Sequence, residues 1–338
     1  MRTDLARILR RGRENQVYSA AAWSVGTAHG VLGRGLLGTR WWGGPEVTED
    51  SRWDLASVTK PVVGITVAAL AERGLLSFDD PLAGHLPEYA GSAKATITVR
   101  RLLTHTSGLP GATPLWRKHS TREALLDAIR TGPLRSPPGT RVEYSSQGFI
   151  LLGLLAEAAG RAPLDRLVAE LVTGPAGLAS TGFGPVHGAV ATEDCPWRGH
   201  LVRGQVHDEN AVVLGGVCGH AGLFAPLADL ERLGQVLAGG ATPLLKPGTH
   251  AEMTASHTDE LNLRRGLAWQ GLDVPGSPVG TAPAADSFGH TGFTGTSLWI
   301  EPRRGRYYVL LTNRVHPSRE KPGIEAVRRE FHDAAVRV

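Results

Sequence analysis

The 338-residue chain contains two cysteines, Cys195 and Cys218. Two thiols are too few for a disulfide framework, and their spacing is not that of zinc ligands. Long apolar runs are missing as well: the most apolar stretch, residues 149–159, is too short to span a bilayer and predicts a buried helix instead. The N-terminus is basic at Arg7, Arg10, Arg11 and Arg13, yet no apolar run with a small-residue cleavage site comes after it. A secretory leader is therefore not expected, and a cytoplasmic location is. Blocks of like charge are absent; the densest clusters are the pairs Arg10-Arg11, Arg303-Arg304 and Arg328-Arg329, in a chain of formal net charge +4. That pattern predicts a solvated, mixed surface with no nucleic-acid groove and no membrane partner. Internal repeats and low-complexity tracts are lacking too. With 41% hydrophobic residues the chain is long enough for a large core or two lobes, so disorder is not expected.

Two apolar runs within residues 17–39, joined by Thr27-Ala28-His29-Gly30, predict a hairpin. Its glycines Gly30, Gly33, Gly35 and Gly38 fit neither a dinucleotide fingerprint nor a phosphate loop. Residues 54–74 predict a helix, with Asp54 as its cap, Pro61 in the first turn and Gly74 as its stop. The body of that helix is apolar nearly all round, which implies burial on most sides. Short helices broken by Pro and Gly are expected over 99–103, 121–129, 148–159 and 164–171, then over 227–237 and 247–254. Two strands at 296–300 and 307–312 and a last helix at 324–336 close the chain. Strands at both ends with helices between predict one sheet made from both termini, residues 1–78 and 228–338, carrying an inserted helical lobe at 79–227 with the active site between them.

Three short sequences are present in a telling order: Ser57-Val58-Thr59-Lys60, Tyr144-Ser145-Ser146 and His290-Thr291-Gly292. A hydroxyl is a poor nucleophile until a positioned base takes its proton, and an amine three residues on lies on the same helix face. Lys60 is one of only five lysines and opens a helix predicted to be buried, where an unpaired ammonium is costly. Tyr144 sits at a turn-to-helix junction, where a side chain can face a cleft; beside a lysine's positive charge a phenol relays a proton more readily. Ser145 or Ser146 is equally readable as a helix cap or a site residue. His290 and Thr291 precede a strand-like stretch and offer hydrogen bonds to an acyl group lying alongside it, and Gly292 allows close backbone approach.

These motifs resemble those of the serine β-lactamase and penicillin-binding-protein superfamily, and their flanks resemble its class C β-lactamase-like esterase branch. Residues 102–109, 215–224 and 311–314 add to the likeness, which runs from about residue 17 to 336. The resemblance implies a β-lactamase-like α/β fold (α+β in some schemes): an antiparallel sheet built from both chain ends, flanked by helices, with an inserted all-helical lobe. It implies Ser57 as the acylated nucleophile, Lys60 as its proton partner and Tyr144 as general base or acid. Backbone N–H groups of Ser57 and Phe293 are implied as the oxyanion hole, with Ser146, His290, Thr291 and Gly292 bordering the substrate. Many family members have Asn where this chain has Ser146, and many β-lactamases have Lys where it has His290, which turns the expectation from β-lactamase towards esterase or acyl transferase.

The expected activity is therefore a serine hydrolase acting on a small-molecule or peptide-like acyl substrate, with no metal and no other cofactor. Alternatives are transfer of the acyl group to an amine or alcohol, as in peptide release or cyclisation, a D-amino-acid peptidase or β-lactamase, and a non-catalytic acyl-binding protein of the same fold. Oligomeric state is left open. His105 and His220 are expected to be structural hydrogen-bonders, and His187, His200 and His207 lack the His-Glu-x-x-His spacing of a zinc helix.

Overall fold

The structure, a computed structural model, describes residues 2–273 and 276–338. The chain begins with helix α1 (Arg2–Glu14), which buries Leu5, Ile8 and Leu9. Strands β1 (Ala20–Thr27) and β2 (Gly30–Gly38) form the predicted hairpin. After the two-residue β3 (Trp53–Asp54) and a 3-10 turn at Ala56–Val58 comes helix α2 (Thr59–Glu72). The inserted segment contributes helix α3 (Ser146–Gly160), several shorter helices, and four short strands, β4 (Gly182–Phe183), β5 (Asp194–Cys195), β6 (His200–Leu201) and β7 (Leu223–Ala225). Helix α4 (Leu227–Ala238), strands β8 (Gln270–Gly271), β9 (Phe288–Thr291), β10 (Ser297–Glu301) and β11 (Arg306–Thr312), and helix α5 (Ile324–Ala335) complete it.

Both chain ends build the main sheet, as expected: six antiparallel strands in the order β2-β1-β11-β10-β9-β8. Its central strands read as unbroken apolar runs because both faces are covered. Ala20 and Ala22 of β1 with Val309 and Leu311 of β11 join the larger core, under α4. The alternate residues Ala21, Trp23 and Val25, with Tyr308 and Leu310, join a second core under α1 and α5. This period of two is the pleat itself.

Helix α2 is buried from Thr59 through Leu70, matching its all-round apolar sequence, and packs against α3. At Gly64 an added Cβ would stand 2.3 Å from the Ala268 Cβ, so the close approach there needs glycine.

Three expectations are corrected. Asp54 does not cap α2; it is a buried strand residue whose Oδ1 accepts from the Ala56 N–H at 2.8 Å and whose Oδ2 accepts from the His207 N–H at 2.7 Å. The helix proper starts at Thr59, because Ala56 takes a left-handed φ of 47° that no α-helix contains. The insert is also not purely helical: β7 pairs with β3 on one side and β4 on the other in a small sheet, and β5 pairs with β6, in ladders of two residue pairs that are too short to leave a period-two signature. Among the described residues, no helix is long and apolar enough to cross a membrane.

Candidate active site

The 3-10 turn carrying Ser57 leads directly into the first turn of α2, so the three-residue spacing brings Lys60 over the serine. Lys60 Nζ donates to Ser57 Oγ at 2.9 Å and to the His220 carbonyl at 3.1 Å, and the side chain is fully buried. No carboxylate pairs with it among the described residues. Instead, its Nζ lies 4.9 Å from the centroid of the Tyr144 ring and 5.8 Å from that of Phe149.

Tyr144 is held in place through its neighbour Ser145 and through His105. His105, buried and in a left-handed conformation, accepts from the Ser145 N–H at its Nδ1 (3.1 Å) and packs its ring 4.7 Å from that of Tyr144. Burial, with the charges of Arg265 and Lys60, holds the His105 pKa well below the usual histidine range, as an acceptor nitrogen requires. The two serines are now separated in role. Ser145 caps α3, its Oγ accepting from the Gly148 N–H and donating to the Pro110 carbonyl at 2.6 Å, whereas Ser146 lines the cavity.

His290 and Thr291 lie within β9 rather than before a strand, paired with Leu298 and Ser297 of β10. His290 is buried, and burial together with Lys60 and Arg265 pushes its pKa down to about 3, so the ring is neutral at physiological pH. Its Nδ1 donates to the Thr291 carbonyl at 2.8 Å, which leaves Nε2 as an acceptor. Its ring centroid is 5.9 Å from that of Tyr144.

After β9 the chain turns tightly through Gly292. A Cβ there would lie 2.0 Å from Thr296 Oγ1 and 2.6 Å from the Leu55 carbonyl, so only glycine fits. Thr294 Oγ1 donates to the Asp54 carbonyl (2.8 Å) and Thr296 Oγ1 to the Leu55 carbonyl (2.9 Å). These two bonds rivet the turn carrying Phe293 to the backbone just before Ser57. The Phe293 N–H has no acceptor among the described residues, and its ring is about half exposed between His207, stacked at 5.8 Å, and the Arg314 guanidinium at 4.1 Å.

Ser57, Tyr144, Ser146, His290, Thr291, Gly292 and Phe293 all line one cavity of about 580 Å³, with Lys60 buried behind Ser57. The profile of the Beta-lactamase family matches residues 5–332. The chain belongs to the beta-lactamase family. It is a serine hydrolase with that family's fold. A relative in Escherichia coli (strain K12), named "Putative D-alanyl-D-alanine carboxypeptidase", is 31% identical over 90% of this chain and 77% of its own. Among solved structures, EstCE1, described as a hydrolase with promiscuous acyltransferase activity, superposes with a TM-score of 0.82 at 19% identity, covering 98% of this chain and 97% of the other. Simvastatin synthase (LovD) of Aspergillus terreus gives 0.77 at 21% identity over 99% and 97%. The D-alanine carboxypeptidase AmpC of Burkholderia cenocepacia gives 0.77 at 19% over 98% of each chain. At these identities the structural likeness is one of fold.

The beta-lactamase-family cavity also has walls that the motifs did not announce. Arg265, Arg314, Arg319 and Arg328 line it, together with Trp116 and Asn210. Arg319 is committed to Glu193 and Glu209, with Nη2 at 2.5 and 2.6 Å from their carboxylates, and Glu193 also meets His207 Nε2 at 3.0 Å. Glu193, Cys195 and Glu209 stand close enough to share a metal ion, but the Arg319 guanidinium already supplies their counter-charge. A single signal pointed to this wall, the Arg314 of the family-like segment 311–314; the others come from separate, unremarkable stretches.

His220 is buried beneath Lys60, its Nε2 2.8 Å from Asp208 Oδ1 and its Nδ1 3.1 Å from Cys218 Sγ. Burial opposes its charge, but Asp208 and Cys218 outweigh burial and raise its pKa to about 10, while the Asp208 carboxyl is held well below the carboxylate range. Both shifts belong to one ion pair, which contributes to stability once. With a folded value above the unfolded 6.5, the His220 contribution is complete below about pH 6.5 and is lost as pH rises towards about 10. Thermal unfolding measured from pH 6 to 10 should therefore show a falling Tm, and His220→Gln should lower the Tm at pH 6 and flatten that slope. A slope unchanged in the variant would remove the pair as its cause.

Proposed function

We propose that the protein is an esterase which forms an acyl-enzyme at Ser57 on a small acyl ester or amide and passes the acyl group to water. The observation that carries this reading is the buried Lys60 amine 2.9 Å from Ser57 Oγ in the wall of an open cavity. Ser57 attacks the carbonyl carbon as its proton leaves towards Lys60, with Tyr144, whose ring covers Lys60, relaying a proton to the leaving group. The oxyanion takes hydrogen bonds from the N–H groups of Ser57 and Phe293, two donors whose spacing is set by Thr294 and Thr296. Ser146, His290, Thr291 and Gly292 border the acyl group. In this reading the site lies between a sheet lobe, residues 1–78 and 228–338, and a largely helical lobe, residues 79–227.

Neutral substrates are favoured because His290 and Ser146 supply neither an ammonium nor an amide at those positions. Short p-nitrophenyl esters should show a higher kcat/KM than cephalosporins; efficient cephalosporin hydrolysis without ester cleavage would overturn the preference. A second reading, a peptidase acting on D-amino-acid peptides, is supported by the name of the E. coli relative and by arginines in the cavity wall that suit a terminal carboxylate. Turnover of a D-alanyl-D-alanine peptide with no ester cleavage would select it.

Tyr144→Phe keeps the ring contacts with Lys60 and His105 and deletes the hydroxyl, so acylation should fall on the order of a hundredfold with little change in Tm. Substitutions at His220 or His290 should act on stability or substrate preference. Pre-steady-state acylation rates decide between them: a Tyr144→Phe enzyme that acylates normally, beside a histidine variant that does not, would move the base to the histidine.

A further inference from the structure

Arg328 is a buried cation that the proposed chemistry has not used. It projects from the covered face of α5 into the cavity wall, 7% exposed, and no carboxylate pairs with it among the described residues. Glu325, one turn earlier, is itself exposed and makes no bond to it. Its Nε is buried without a partner, and its Nη2 donates to one acceptor, the Gly292 carbonyl, at 3.3 Å. Burial and the like charge of Arg314 push its pKa down to about 10 against a smaller pull from Glu325. A guanidinium kept out of water without an ion-pair partner is costly, so its retention at this position needs a physical cause.

The Gly292 carbonyl supplies one. It belongs to the same planar peptide unit as the Phe293 N–H, the second of the two proposed oxyanion donors. A donor at the oxygen draws electron density through the amide resonance and leaves the N–H more strongly polarised. The Gly295 N–H bonds the same oxygen at 3.1 Å, so two donors fix this peptide plane from behind while its N–H faces the cavity. The field of Arg328 reaches the site: with burial, Lys60 and Arg265 it belongs to the causes that keep His290 neutral.

We propose that Arg328 is a positioning residue that orients and polarises the Gly292–Phe293 peptide, and that its charge is the standing counter-charge for the oxyanion formed when Ser57 attacks. The inference rests on the assignment of Ser57 as nucleophile and Phe293 as oxyanion donor. Because the substrate carbonyl is neutral and the oxyanion is not, Arg328 acts on the transition state more than on substrate binding.

The test uses Arg328→Gln and Arg328→Lys with a p-nitrophenyl ester whose carbonyl carbon is isotopically labelled. Intact mass, single-turnover acylation, the kcat and KM of turnover, and the infrared carbonyl band of the acyl-enzyme are measured, with thermal unfolding as a fold control. Arg328→Gln should still give the Ser57 adduct, acylate at least about tenfold more slowly with KM unchanged, and shift the carbonyl band to higher wavenumber. This is a smaller effect than the roughly 10²–10³ that direct loss of an oxyanion donor brings. Arg328→Lys, which keeps the charge without the fork, should fall between. An unchanged band and rate in a folded variant overturns the inference alone, and Arg328→Lys decides by the same readouts if Arg328→Gln does not fold. A rise in KM confined to substrates bearing a carboxylate, with the band unmoved, overturns it in favour of substrate-anion binding. A wild-type protein with no Ser57 adduct overturns the nucleophile assignment and this inference with it.

Discussion

Ser57→Ala is expected to abolish both turnover and adduct formation with a fluorophosphonate, a loss on the order of 10⁴–10⁶ in kcat if residual rates match those of other serine hydrolases stripped of their nucleophile. The neighbouring hydroxyls offer no substitute. Ser145 Oγ is committed to the Pro110 carbonyl and to capping α3, and Ser146, though it lines the cavity, has no amine within bonding distance. Stability should change by less than about 1 kcal/mol, because the one side-chain hydrogen bond lost is that with Lys60, which keeps the His220 carbonyl. Intact mass, steady-state kinetics and Tm on the purified variant check all three statements. Comparable adduct formation in the alanine variant would remove Ser57 as the nucleophile.

The candidate site was legible because its residues lie in short motifs whose internal spacing is local geometry. Ser57 and Lys60 meet through a single turn, so their contact is a direct consequence of a separation of three. The main sheet was legible at its centre, where β1 and β11 are long enough to read as strands, and the helices at 99–103, 227–238 and 324–335 appeared with no bound moved by more than one residue. Helix α1 was missed although Leu5, Ile8 and Leu9 carry the i, i+3, i+4 signal, because the arginines around them drew attention to charge instead. β9 was missed since four residues, with Gly289 inside, leave too little period. Of the arginine wall only Arg314, in the family-like segment 311–314, was legible. Arg265, Arg319 and Arg328 converge from β8's approach, a loop and α5, and nothing in a linear sequence marks side chains that only the sheet order brings together. The same holds for Asp54, whose two carboxylate oxygens tie the Ser57 turn to His207, 153 residues away.

Lys60→Met should slow acylation on the order of 10³-fold, within the range for loss of a general acid–base group and equivalent to about 4 kcal/mol in the barrier. Methionine takes the same path through the pocket between Tyr144 and Phe149 but has no amine to receive the Ser57 proton. Two opposing effects keep the fold intact. The bonds to Ser57 Oγ and the His220 carbonyl are lost, at about 1 kcal/mol each, while a fully buried polar group is replaced by an apolar one. The net change should stay under about 2 kcal/mol, so a large rate loss with a near-normal Tm cannot be ascribed to unfolding. A fall of less than tenfold, about 1.4 kcal/mol, would take Lys60 out of the mechanism. Lys60→Arg separates the remaining possibilities. A guanidinium places a fixed positive charge beside Ser57 but takes up no proton at neutral pH, so the arginine variant should be as inactive as the methionine one. An arginine variant that kept most of the activity would make Lys60 a fixed charge, and the serine proton would then have to leave by way of Tyr144.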